Sequence, residues 1–61
     1  MGNIKIISDS NELKFVEKKL VNKAPMLVYE YVVSESKLGQ TLVLSESDLD
    51  KMIKKNIAVY L

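Results

Sequence analysis

A chain of 61 residues with neither cysteine nor histidine must hold its fold without disulfides and without a zinc site of any common type. A domain this short buries only about 60% of the surface that its unfolded chain exposes. Its stability, at roughly 0.05–0.15 kcal/mol per residue, amounts to a few kcal/mol. The staple that remains is association with another chain. Composition agrees, because 48% of the residues are hydrophobic, more apolar side chain than so short a chain easily hides. The length suits a single domain, residues 1–61.

Charge excludes little but ranks the classes. Nine basic residues, all of them lysine, face eight acidic ones, for a net charge of +1. That balance gives no strong field toward a polyanion. No apolar run is long enough to cross a membrane, and the N-terminus lacks a signal-peptide core. Met1-Gly2 suggests myristoylation, but that motif needs Ser or Thr where Ile6 stands. The expectation is a cytoplasmic protein without a membrane partner.

Local patterns predict six elements. The β-branched stretch 3–8 reads as a strand. Asp9 followed by Glu12 resembles a capping box, and Leu13, Val16, Leu20 and Val21 recur at helical spacing, with Pro25 as the stop. Residues 26–33 form the clearest strand, and with 40–44 they read as a hairpin around Gly39. Ser45 caps a second helix with acids early and lysines late, and Asn56 can end it in a left-handed conformation. Residues 57–61 form a last strand. The order is βαββαβ, a small ferredoxin-like α+β sheet with two helices on one face. If 12–22 is instead a strand, the alternative is a small five-strand β-barrel with one helix before the last strand.

Catalysis is the weakest reading. Without His or Cys the usual bases, nucleophiles and metal ligands are missing, and no cofactor is expected. Ser34-Glu35-Ser36-Lys37 spells the Ser-x-x-Lys of penicillin-recognising enzymes, but in a turn rather than on a helix. Glu46, Asp48 and Asp50 alternate like the start of a calcium loop, yet Lys51 and Ile57 occupy places where that loop needs Gly and Glu. Favourable charge at a helix start accounts for them.

Two binding readings remain. For a protein partner, Val28, Tyr29, Glu30 and Tyr31 lie on a strand that is mostly apolar on both faces. The strand pattern adds Ile7, Val43, Ala58 and Tyr60 to an open sheet face around Lys5. Strands 26–33 and 57–61 would be the sheet edges. For nucleic acid, Lys14, Lys18, Lys19 and Lys23 would give a basic first helix, and Lys51, Lys54 and Lys55 a basic end to the second. Lysine holds phosphate but lacks the bidentate fork that reads bases. The first reading leads: a non-catalytic interaction module, a homo-oligomer or a small inhibitor or regulator docked on a larger protein.

Gly39, the run Leu42-Val43-Leu44-Ser45, Asp48-Leu49, Met52-Ile53 and Ile57-Ala58 together resemble the strand-then-helix ends of small phage-type and mobile-element proteins. The resemblance covers only part of the chain. It implies an accessory protein of that kind and assigns no residue a role.

Overall fold

The structure, a computed structural model, describes residues 2–34 and 37–61. Its elements are β1 (Ile4–Ile6), β2 (Glu12–Val21), β3 (Ala24–Ser34), β4 (Lys37–Ser45), α1 (Glu46–Lys54) and β5 (Ala58–Tyr60). The strands form one antiparallel sheet in the order β4-β3-β2-β1-β5. The ferredoxin-like expectation is therefore corrected: residues 12–21 are a strand, and one helix is present rather than two. The barrel alternative is corrected too, because β4 and β5 lie at opposite ends of an open sheet and do not meet. The molecule is a slab, 33 × 26 × 15 Å, as one sheet with one helix on one side must be.

The misread segment has a physical explanation. Asp9 does accept a backbone N–H, but from Asn11 at 3.2 Å, which makes a turn and not a helix cap. Ser10, at φ 60°, bends the chain back into β2. Within β2 the pairing with β3 shifts between Phe15 and Glu17, leaving Val16 as the extra residue of a bulge. The bulge moves the inward phase from Leu13 and Phe15 to Lys18 and Leu20. The displaced alternation imitates helical spacing. At the far end Asn22 and Lys23, at φ 50° and 66°, form a two-residue hairpin turn of the left-handed type between Val21 and Ala24. Pro25 pairs with Leu20 just past the end of β4, whose last pairing is Met26 with Ser45. At that position its missing N–H leaves no gap in the β3–β4 ladder.

The helix ends follow the sequence. The Ser45 hydroxyl accepts the Asp48 N–H at 3.0 Å. Asn56, at φ 58°, closes the other end: its N–H donates to the Ile53 carbonyl at 3.1 Å, and that of Ile57 to the Met52 carbonyl at 2.9 Å. Two of the orphan carbonyls of the last turn are thereby satisfied. The helix crosses the sheet from edge to edge, packing on β3, β4 and β5. Between helix and sheet lies the core of Ile4, Leu13, Leu27, Tyr29, Leu44, Leu49 and Ala58, edged by Phe15, Tyr31, Met52 and Ile53. One tie to the helix start is ionic, between Lys18 of β2 and Glu46.

Candidate interaction surface

Register sorts the side chains onto two faces. On the helix side, the row through β3 carries Leu27, Tyr29 and Tyr31, with Leu44 and Leu42 opposite the first two on β4. Leu13 and Phe15 oppose Tyr31 and Tyr29 on β2. The uncovered face carries the alternate residues: Met26, Val28, Glu30 and Val32 on β3, and Thr41 and Val43 on β4. Lys14 stands opposite Glu30 and Glu17 opposite Val28 on β2, and Lys5 stands opposite Val59 at the far side. The face is therefore divided. Its β3–β4 half is mainly apolar, and its β2–β1 half carries Lys14, Glu17, Lys19, Glu12 and Lys5, with exposed Val21 at the hairpin end.

The apolar half is built around Val28, which is nearly enclosed although the helix lies on the other side. Val43, directly opposite it, is 44% exposed, and Val32 is 39% exposed. This half adjoins the outer edge of β4, with which nothing pairs among the described residues. Between Thr41 and Ser45 the β4 ladder runs in register; beyond Thr41 it shifts, where Gly39 and Gln40 together face Tyr31. Gly39 permits that bulge, because a Cβ there would lie 2.7 Å from Cγ2 of Val33 and 3.4 Å from the Tyr31 carbonyl oxygen. A depression of about 400 Å³ opens beside it, lined by Asn11, Tyr31, Val33, Gly39 and Gln40. Among the described lining residues the one ionisable group is the Tyr31 phenol, and the rest offer packing and amide hydrogen bonds.

The residues singled out from sequence are thus only partly brought together. Val28, Glu30 and Val43 share the uncovered face. Tyr29 is in the core: its hydroxyl donates to the Gly2 carbonyl at 3.0 Å, and Phe15 meets its ring nearly edge-on at 5.5 Å. Burial, and secondarily the nearby Tyr60 phenol, pushes the Tyr29 hydroxyl above the ordinary tyrosine pKa. Tyr31 is half-buried on the same side. Tyr60 pairs with Ile4 and Ala58 with Ile6, which puts both on the helix side, where Ala58 is fully buried. Val59 takes the open side instead. Ile7 follows β1 at the turn, its N–H donating to the Ile57 carbonyl at 2.9 Å. The edges also differ: 26–33 lies inside the sheet as part of β3, and the exposed edges are β4 and β5. The sequence pattern missed Thr41 and Val59 as surface residues. With 12–21 a strand, β3 lies between two partners and is not an edge.

Of the two basic segments expected, the first is not helical, whereas Lys51 and Lys54 do lie in the last turn of α1, with Lys55 as its C-cap. Lys14 and Lys19 lie on the uncovered face, Lys18 on the helix side beside Glu46, and Lys23 at the hairpin tip. On the helix, Lys54 is paired with Asp50 at 2.9 Å, while Lys51 and Lys55 are exposed. The described residues contain no cluster of three or more acidic side chains placed to hold a metal ion. The Ser-x-x-Lys sequence spans residues 35 and 36, which lie outside the described residues. No helix among the described residues is long and apolar enough to cross a membrane. Comparison with protein-family models, with curated proteins and with solved structures finds no significant match.

Proposed function

We propose that this chain is a non-catalytic protein–protein interaction module that docks through the apolar half of its uncovered sheet face and the adjoining β4 edge. The observation that carries the reading is their continuity. Val28 and Val43 stand side by side as an apolar patch, with Val32 on the same face beyond Glu30 and Thr41, and the patch ends at a strand whose outward N–H and C=O groups have no partner among the described residues. Side-chain burial and main-chain pairing are therefore available to the same partner at once. The charged β2–β1 half would form the polar rim of such a contact.

The test is association itself. Wild-type chain should bind protein, its own copies included, in a manner that moderate salt and nuclease leave intact. Substituting Thr41→Lys and Val43→Lys together should abolish that binding while the circular dichroism stays unchanged. Binding to protein that survives the double change removes the surface from consideration. Binding that disappears with nuclease or weakens steeply with salt makes the partner a polyanion.

A further inference from the structure

We infer that the occupant of the β4 edge is a second copy of this chain, paired antiparallel to the first about a twofold axis at Val43. The inference rests on the reading above and names the partner for that site. The usable length of the edge is Thr41–Ser45, where β4 runs without a register shift; past it the Gly39–Gln40 bulge turns the strand aside. The segment reads Thr-Leu-Val-Leu-Ser and carries no charge. Folded back on itself about Val43, it sets Thr41 opposite Ser45 of the second copy, Leu42 opposite Leu44, and Val43 opposite Val43. Every position meets its own kind: hydroxyl with hydroxyl, leucine with leucine, valine with valine. A foreign strand would have to supply that pattern, whereas a second copy always does.

Electrostatics agrees. The whole chain carries a net charge of only +1, so two copies repel weakly. The first acid after the edge, Glu46, is already paired with Lys18. The arrangement is isologous and closes on itself, which yields a dimer and not a fibre. It joins Val28 and Val43 of both copies into one stripe across the seam, covering the partly exposed Val43. The opposite edge is a poorer candidate, because β5 has three residues and offers little ladder.

The chain has no cysteine, so one introduced thiol reports on one place. Cα atoms facing each other in an antiparallel pair lie about 4.5–5.5 Å apart, within disulfide reach. Val43→Cys should oxidise to a covalent dimer much faster than Val32→Cys or Val59→Cys, two positions of similar exposure on the same face. Sedimentation of the wild type should show a concentration-dependent dimer. Val43→Lys, which sets two ammonium groups face to face, should weaken it by about tenfold or more, equivalent to about 1.4 kcal/mol. Equal oxidation rates at the three positions, or a dimer indifferent to Val43→Lys, would overturn the twofold at Val43. A wild type that stays monomeric while a different protein binds through Val43 removes the second copy and leaves the interaction module standing. Absence of any Val43-dependent binding removes both.

Discussion

The two faces of this sheet are made from the same strands yet are buried very differently. On the helix side, Ile4, Leu13, Leu27, Tyr29 and Ala58 are completely buried. On the other, Val28 is covered only by its neighbours, and Val43, Val32 and Val59 remain substantially exposed. Both faces offer β-branched and aliphatic side chains, so composition does not separate them. The separation comes from a nine-residue helix, which can shield only one side. Stability should therefore depend on the covered face, and association on the open one.

The sharpest contrast pairs one truncation on each face. Leu27→Ala should cost about 2–5 kcal/mol, comparable to the whole stability of a domain this size. Val43→Ala, measured in the dissociated chain, should change stability by less than about 0.5 kcal/mol. Urea unfolding of both variants checks this, and equal losses would erase the distinction between the faces.

Tyr29 sharpens the covered side further. Replacing it with Phe removes the hydrogen bond to the Gly2 carbonyl and should cost about 0.5–1.5 kcal/mol near neutral pH. The phenol also gives that face a pH signature. Because its pKa is raised on folding, the folded chain keeps the proton to higher pH than the unfolded chain does. Its contribution is complete below the ordinary tyrosine value near 10 and is lost as pH rises through the higher folded-state value. Melting temperatures between about pH 8 and pH 12 should fall more steeply for wild type than for Tyr29→Phe. Parallel curves would place Tyr29 in a more solvated setting than the core described here.

Smaller effects lie at the margins of the sheet. Lys23 holds φ 66° in the β2–β3 turn, a conformation that glycine adopts without penalty. Lys23→Gly should raise stability by about 0.5–1 kcal/mol, close to what a compatible turn residue gives. Destabilisation by Lys23→Gly would mean that the turn has another geometry. The Lys18–Glu46 pair is half exposed on both sides, so Glu46→Gln should cost less than about 1 kcal/mol, and less still in high salt.

Much of the molecule was legible because short-range rules decide it. The alternation of β3, the Ser45 cap and the left-handed Asn56 follow from neighbours in sequence. The inward placement of Leu42 and Leu44 and the outward placement of Val43 follow from the same alternation. What escaped depends on single residues that shift a phase. One bulge residue, Val16, turned the β2 alternation into an apparent helical stripe. An Asn-Lys turn lacks the glycine that usually marks such a hairpin, so Asn22-Lys23 read as a helix end before Pro25. A helix at 12–22 leaves β3 as an edge, whereas a strand there pairs with β3 and leaves the edge to β4. The faces of β5 inverted for a related reason. Ile57 is spent closing the helix, the register with β1 starts at Ala58, and the small side chain lies inward where the helix packs on β5.

Partner binding should use the β4 edge and the face beside it. Amide hydrogen exchange, measured residue by residue in dilute and concentrated solution, tests it most directly. Outward-facing N–H groups within Thr41–Ser45 should exchange more slowly in the associated state, while those on the outer side of β5 stay unchanged. Slowing confined to β5 or to the helix, with the β4 amides exchanging equally in both solutions, would contradict it.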